Sequence, residues 1–200
     1  TDIDDRYWKR YNEGNSTLWN WFQTGDAAQS AVADGKLQLK AVYEGGTYKT
    51  GAVTGKDKLD YETPFRVDCR ASMSRRSTGF WCAIWTVPTT GYQNGEIDIM
   101  EAGDHYSDAT FASTAQYTCH NQYTLNTPSK RYDGWRPGQD QPQSAKVSLD
   151  DPTGYHTYSV EVTDEAITWY VDDVQVHRYA NIKHSTSDRG YKYAAESTVN

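Results

Sequence analysis

The chain has 200 residues, 36% of them hydrophobic, which is enough for one domain with a sizeable core. Its net charge is −7, with 20 Lys and Arg against 27 Asp and Glu, so no phosphate-binding surface and no nucleic-acid partner are predicted. No apolar run has the length of a membrane span and the first residues show no signal-peptide pattern, so we predict a soluble protein without a membrane partner, any export signal having been removed.

Short stretches of alternating or continuous apolar residues recur between turn signals, and no long segment keeps a helical period. The first clear one, KLQLKAVYE at 36–44, predicts a strand with Leu37, Leu39 and Ala41 buried and the intervening residues in water. Many short antiparallel strands without helices predict an all-β sandwich or jelly roll.

The next segment, FRVDCRASMSRRSTGFWCAIW at 65–85, reads as a hairpin centred between Arg75 and Arg76. Such a hairpin would place Cys69 and Cys82 opposite each other, where a disulfide is one alternative and two free thiols are the other, because directly opposed cysteines are often strained. With Cys119 they make an odd number, and none has the short spacing of zinc ligands, so no metal site is predicted from them.

Three carboxylates crowd the stretch NGEIDIMEAG at 94–103. In a regular strand Glu96 and Asp98 share a face, and Glu101, five positions after Glu96, points to the other face. One extra residue in a β-bulge near Ile99 and Met100 would restore the parity and gather all three acids in one groove. The two glutamates could then approach to about 5–5.5 Å, the separation typical of a retaining glycosidase.

Such a pair needs one ionised glutamate to attack the anomeric carbon and one protonated glutamate to donate to the leaving oxygen. Asp98 between them would help to keep Glu101 protonated and would tune Glu96. Two other interpretations stay open at this point, a solvated strand face and a calcium site, because clustered carboxylates also suit hard cations.

The remaining chain contains one long polar interval, 119–146, and then a strand-rich end. The interval is long for an inert connection, which favours a cleft-lining loop. YHTYSVEV at 155–162 predicts a strand with Tyr158, Val160 and Val162 on one face, and the turns TDEA and DD predict that ITWYV and VQVHRY complete a three-strand meander.

Two motifs in this order resemble glycoside hydrolase family 16, the retaining endo-glucanase and endo-galactanase family. TGFWCAIWTVPTTGYQNGEIDIMEAG is similar to the family's Glu-x-Asp-x-x-Glu region with its preceding tryptophans, and YHTYSVEVTDEAITWYVDDVQVHRY is similar to its later meander. The resemblance spans residues 35–180 and implies a concanavalin-like jelly roll of two antiparallel sheets with a concave substrate cleft. By matching position it implies Glu96 as nucleophile, Asp98 as the assisting carboxylate and Glu101 as acid/base.

The resemblance also implies a catalytic role for His120, which stands where the family often places a histidine on the neighbouring strand, close to the carboxylates. A lone histidine beside a cysteine is otherwise usually structural. Trp81 and Trp85, four apart, share a face of their strand and suit sugar stacking, with Trp85 the stronger candidate and Tyr92 and Trp135 as candidates from loops. Trp169 is expected in the core.

The chain stops where the family continues, since KYAAESTVN at 192–200 looks like the beginning of a further strand. We therefore expect a single catalytic domain over residues 1–200 that lacks the family's last strands. The function implied is a secreted, monomeric endo-acting retaining hydrolase of a polysaccharide, with β-1,3- or β-1,3(4)-glucan the favoured substrate. It needs no cofactor, although a structural calcium stays open.

Three alternatives remain at this stage. A hydrolase of agar or carrageenan would use the same residues on a galactan. A transglycosylase would pass the same covalent intermediate to another sugar. A lectin-like binding module would have the sandwich without the catalysis, and its acids would hold calcium or nothing.

Overall fold

The structure is a computed structural model that describes residues 2–12, 15–16, 21–55, 57–73, 79–88, 96–103, 113–120, 144–180 and 197–199. Every regular element that lies wholly within these ranges is a β-strand of at least two residues. The first nine are β1 Lys9–Arg10, β2 Asn15–Ser16, β3 Trp21–Thr24, β4 Ser30–Ala33, β5 Lys36–Leu39, β6 Ala41–Glu44, β7 Thr47–Gly51, β8 Val53–Thr54 and β9 Asp60–Tyr61. The others are β10 Phe65–Ser72, β11 Trp81–Pro88, β12 Glu96–Gly103, β13 Thr114–His120, β14 Ser144–Ser148, β15 Tyr155–Val162, β16 Ala166–Val171, β17 Val174–Ala180 and β18 Ser197–Val199.

The chain divides into two compact units, residues 1–60 with 199–200, and residues 61–198. In the smaller unit, β1 pairs with β8, β4 pairs with β5, and a four-stranded sheet has the order β2-β3-β7-β6. The β3–β7 pair is parallel, and the other registered pairs of this unit are antiparallel.

The larger unit is a sandwich of two sheets. One has the order β10-β15-β16-β17, and the other has the order β14-β13-β12-β11-β18-β9. Alternate residues of β12, β13, β15 and β16 point into a shared core, and Ile97, Tyr117, Val160 and Trp169 are fully buried there. Burial of these apolar faces is the main driving force that holds the two sheets together, and it confirms the predicted all-β sandwich.

The three-strand meander is confirmed as β15, β16 and β17. Tyr158, Val160 and Val162 are buried as predicted, and Trp169 lies in the core. The two central residues of the second turn, Asp172 and Asp173, have φ values of 49° and 64°, as a two-residue hairpin turn of type I′ requires. In the first turn, the hydroxyl of Thr163 accepts hydrogen bonds from the backbone N–H groups of Glu165 and Ala166.

The hairpin predicted over residues 65–85 is wrong. β10 pairs with β15 in one sheet, whereas β11 pairs with β12 in the other, so Cys69 and Cys82 do not face each other. All three cysteines are free thiols. The equal spacing of the two cysteines from the Arg75–Arg76 midpoint carried no information about which sheet each strand joins.

The predicted burial of the 36–44 segment is also wrong. It forms two strands, β5 and β6, and Leu37 and Leu39 are 45% and 50% exposed, while Ala41 is exposed as well. Alternation indicates that a strand has an apolar face, but it does not supply a second layer to cover that face.

The end of the chain contributes one strand to the larger sheet. Ser197–Val199, within the segment that looked like the beginning of a strand, forms β18 between β11 and β9. Among the described residues, no helix is long and apolar enough to cross a membrane.

Candidate active site

A β-bulge in β12 brings the three carboxylates to one face. On β11, Ile84 pairs with Met100 and the next residue, Trp85, pairs with Asp98, so Ile99 is extra. On the other side, Asp98 pairs with Thr118 and Glu101 pairs with Gln116, so two residues of β12 oppose the single Tyr117. The bulge predicted near Ile99 and Met100 is therefore confirmed, and Ile97, Ile99 and Met100 are buried behind the acids.

Each of the acids faces a polar residue of β13. Glu96 pairs with His120, Asp98 with Thr118, and Glu101 with Gln116. The side-chain amide of Gln116 donates to the hydroxyl of Thr118 at 3.3 Å. Sequence reasoning found His120 but missed Gln116 and Thr118.

A signal for these two residues exists in the sequence of β13. In TAQYTCH, the polar Gln116, Thr118 and His120 recur every second residue, while the core residues Ala115, Tyr117 and Cys119 alternate with them. The pattern marks one polar face of a strand that follows the catalytic one.

His120 lies directly against two of the carboxylates. Its Nε2 is 3.0 Å from Oδ2 of Asp98 and 3.9 Å from Oε1 of Glu96. The Asp98 side chain is almost fully buried, and that of Glu96 is largely buried. An imidazole at this distance is close enough to act on the charge of both carboxyl groups.

Burial and mutual repulsion keep protons in this cluster. Burial, followed by the negative charge of Asp98, raises the pKa of Glu96 well above its usual range, while the charge of His120 lowers it. Burial and the charge of Glu101 raise the pKa of Asp98 well above its usual range. Asp98 lies within hydrogen-bonding reach of both glutamates, and a hydrogen bond between two carboxyl groups requires a shared proton.

Two tryptophans of β11 line the same face. Trp81, Ala83 and Trp85 pair with Gly103, Glu101 and Asp98, and directly paired residues of antiparallel strands point to the same side. Trp81 is 42% exposed and Trp85 is half-buried. Both predicted aromatic residues of this strand therefore lie beside the acids, while the loop candidates Tyr92 and Trp135 lie outside the described residues.

Trp81 also makes a direct polar contact with the cluster. Its indole N–H donates to Oε1 of Glu101 at 3.1 Å. From behind the strand, the indole N–H of the buried Trp169 donates to the backbone carbonyl oxygen of Asp98 at 2.8 Å. Glu101 and the backbone of the bulge are thus each held by an indole group.

One oxygen from Glu96, one from Asp98 and one nitrogen from His120 lie within 4.8 Å of one another, close enough to surround an ion. Calcium, however, takes six to eight oxygen ligands, and a set with an imidazole nitrogen and two carboxylates fits it poorly. The donor set therefore does not match the calcium interpretation of the three acids. Two carboxyl groups beside a histidine and exposed aromatic rings match the machinery of glycoside cleavage instead.

Known proteins resemble this chain along most of its length. The family model described as "Glycosyl hydrolases family 16" matches residues 15–198. Over 90% of this chain, the sequence is 28% identical to glucan endo-1,3-beta-glucosidase A1 of Niallia circulans. Over the same share of this chain, it is 27% identical to a beta-glucanase of Rhodothermus marinus. It spans 28% and 60% of the length of these two relatives.

Solved structures share the fold. SCLam, a non-specific endo-beta-1,3(4)-glucanase, superimposes with a TM-score of 0.77 over 99% of this chain and 74% of its own, at 22% identity. The laminarinase from Flavobacterium sp. UMI-01 gives a TM-score of 0.75 over 99% of this chain and 81% of its own, at 17% identity. The family match covers the bulged strand, its two neighbours and the meander, so this chain belongs to the glycosyl hydrolases of family 16.

Proposed function

We propose that the chain cleaves internal β-linkages of a β-1,3- or β-1,3(4)-glucan with retention of anomeric configuration. The observation that carries this proposal is the bulge of β12, which places Glu96, Asp98 and Glu101 on one face against His120. Relatives named glucan endo-1,3-beta-glucosidase A1 and beta-glucanase support the substrate class. Trp81 and Trp85 offer aromatic faces on which sugar rings stack.

In the first step, the Glu96 carboxylate attacks the anomeric carbon while the bond from that carbon to the leaving oxygen breaks. Glu101 gives its proton to that oxygen, so the departing sugar leaves as an alcohol. In the second step, Glu101 takes a proton from water, the water oxygen attacks the anomeric carbon, and the ester to Glu96 breaks. The configuration is inverted twice and is therefore retained.

Asp98 and His120 assist this cycle by adjusting the charge on Glu96. The proton that Glu96 and Asp98 share can reside on Asp98 while Glu96 attacks, and it can return as the ester is hydrolysed. His120 favours the ionised form of Glu96, because its positive charge lowers the pKa of that carboxyl group. All the protein groups in the proposed reaction are side chains of one chain, and none is a cofactor. We therefore propose that the protein acts as a monomer and without a cofactor.

A β-glucan polymer is too large to enter a cell, so we further propose that the protein acts outside the cell.

The test of glucan cleavage uses the parent chain, E96Q, E101Q and a matched control, E165Q, which alters an exposed turn between β15 and β16. Laminarin, lichenan, agarose and carrageenan are incubated with each, and reducing ends, product sizes and the anomer first formed are measured.

Short oligosaccharides from laminarin or lichenan, first released as the β-anomer, are expected from the parent and E165Q. Both active-site variants should lose at least about a thousandfold in rate. Products from agarose or carrageenan alone would move the substrate to a galactan. Products longer than the substrate would indicate transglycosylation, and binding without any product would indicate a lectin.

A further inference from the structure

The indole of Trp81 is built into the contact with Glu101. Trp81 pairs with Gly103, which lies two residues beyond Glu101 on the same face of β12, so the indole reaches Glu101 along the diagonal of the strand pair. The distance from Nε1 to Oε1 is 3.1 Å. The indole nitrogen is a donor only, so this bond has one direction, from Trp81 to the carboxyl group.

Gly103 makes room for this geometry. A Cβ atom at Gly103 would lie 3.0 Å from Cε3 of Trp81 and 2.0 Å from the backbone oxygen of Phe80. The backbone oxygen of Phe80 and, at a greater distance, the edge of the indole therefore leave no space for a side chain at this position. One edge of the ring lies against Gly103, and the N–H reaches the carboxyl group.

We propose that Trp81 is the positioning residue for Glu101: its N–H holds Oε1, so that Oε2 is the oxygen that gives a proton to the leaving sugar and takes one from water. This inference rests on the proposed role of Glu101 as acid/base. It goes beyond the sugar contact predicted for Trp81, because a stacking role would need only the face of the ring.

The two roles differ in which substrates they affect. A glucan has a poor leaving group and needs the proton of Glu101 when its bond breaks, whereas a 2,4-dinitrophenyl glycoside of a matching oligosaccharide has a leaving group that departs without protonation. Loss of positioning should therefore lower kcat/KM, which reports the bond-breaking step, for the glucan and spare it for the dinitrophenyl glycoside. The second step, in which Glu101 takes a proton from water, is common to both substrates and is slowed for both. Loss of stacking should weaken the binding of both substrates and lower kcat/KM by similar factors.

The test compares W81F with a matched control, W85F, on the same face of the same strand, and with E101Q as the benchmark for loss of the acid. W81F keeps an aromatic ring and removes the N–H donor, and a partly exposed position tolerates the change. Initial rates are measured over a range of substrate concentrations, to give kcat and KM, for the glucan that the parent cleaves best and for the dinitrophenyl glycoside.

For W81F we expect kcat/KM on the glucan to fall about 10- to 100-fold, mainly in kcat, which is less than the full contribution of a general acid. The value of kcat/KM on the dinitrophenyl glycoside should change by less than about threefold. W85F should lose similar factors on both substrates. A second variant, W81H, retains a ring N–H and should recover part of the glucan activity.

Equal losses of kcat/KM for W81F on both substrates, a loss on the glucan confined to KM, or no loss at all would overturn the inference. If W81F does not fold, as judged by its circular dichroism and thermal transition, the decision rests on W81H: a loss of kcat/KM selective for the glucan supports positioning, and equal losses of kcat/KM on the two substrates contradict it. A parent chain that cleaves neither substrate would instead overturn the proposed function.

Discussion

The indole N–H of Trp169 donates a hydrogen bond of 2.8 Å to the backbone carbonyl oxygen of Asp98, from one sheet of the sandwich to the other. The bond meets β12 at the bulge, where the regular ladder is interrupted. Trp169 is itself packed against His177, with ring centroids 4.9 Å apart. The buried core therefore holds the backbone that carries the acids.

Replacing Trp169 with Phe should reduce both stability and activity. The change removes a donor from a buried carbonyl oxygen and leaves a small cavity, which together cost about 2–4 kcal/mol of unfolding free energy in a urea titration. Because a shift of about 1 Å at a reacting group can cost a hundredfold in rate, we expect kcat to fall at least about tenfold.

The matched control for this change is I167V, which trims the same strand in the same core without touching Asp98. It should lose about 0.5–1.5 kcal/mol and keep the parent kcat. A W169F chain that is less stable but as fast as the parent would show that the bond supports the fold and not the site.

The raised pKa values of Glu96 and Asp98 predict a pH-dependent cost to stability. The folded-state pKa values of these two groups lie above their unfolded-state values. At a pH between the unfolded-state and the folded-state value, the native state binds more protons than the unfolded state. The free energy of unfolding therefore falls as the pH rises through this range. E96Q and D98N, which cannot ionise, should therefore unfold at higher temperature than the parent at pH 7.5.

The advantage of E96Q and D98N should shrink toward pH 3.5, where most of the carboxyl groups are protonated in both states. Each kcal/mol of relieved repulsion raises the melting temperature by about 2–4 °C in a chain of this size. Differential scanning fluorimetry at both pH values checks this, with E165Q as the exposed control. A difference that does not change with pH would contradict the electrostatic explanation.

Replacing His120 with Gln should move the acid limb of the pH–activity profile upward. The positive charge of His120 lowers the pKa of Glu96, so its loss raises that pKa, and a nucleophile that must be ionised becomes active only at higher pH. The fall in kcat/KM should therefore be greatest at acidic pH and smaller near pH 8. H156Q, in the other sheet, serves as the control and should leave the limb in place.

In its protonated form, the side chain of His156 stabilises two loop residues that flank strands of the sheet β10-β15-β16-β17. Its Nδ1 lies 2.7 Å from Oδ2 of Asp172 and its Nε2 lies 2.8 Å from the backbone oxygen of Asp151, so both ring nitrogens face acceptors. The hydrogen bond to Asp172 is the main cause of a raised pKa for His156. A raised folded-state value means stability that is fully present below about pH 6.5 and lost as pH rises through the folded pKa.

We therefore expect H156Q to lower the melting temperature more at pH 5.5 than at pH 9. D172N is the matched partner, because asparagine tolerates the positive φ at this position and the turn is kept. A double-mutant cycle isolates the coupling between the two residues, and the effect should be modest because Asp172 is exposed. Equal effects at both pH values would mean that the pair is not ionic.

Removing metal ions should leave the reaction rate unchanged. The proposed double displacement uses carboxyl groups and water alone, and the donor set at Glu96, Asp98 and His120 fits calcium poorly. Glucan hydrolysis is measured after dialysis against excess EDTA, with and without added calcium. A rate that falls and returns with calcium would contradict this prediction, whereas a lower melting temperature at an unchanged rate would reveal a structural calcium.

The bulge was predictable because parity is a strict rule: Glu96 and Glu101 can share a face only if one residue between them is extra. Nothing comparable links β11 to β12 or β12 to β13, since the register between strands depends on loops whose lengths do not specify it. The hydrogen bonds from Trp81 to Glu101 and from Trp169 to Asp98 follow from that register and from sheet packing, so they could not be predicted. For Leu37 and Leu39, the alternating pattern indicated the apolar face of a strand, but it did not show whether a second layer packs on that face.

Cys119 offers a way to observe the catalytic strand separating from its neighbour. It lies on β13 directly opposite Ile97 and is fully buried, and burial raises the pKa of its thiol well above its usual range. A thiol in that state does not react with a maleimide until the sandwich opens around it. Cys119 should therefore be the slowest of the three cysteines to be alkylated in the native chain. With excess maleimide, its alkylation rate measures how often the strands that carry the active site open, without any substrate present.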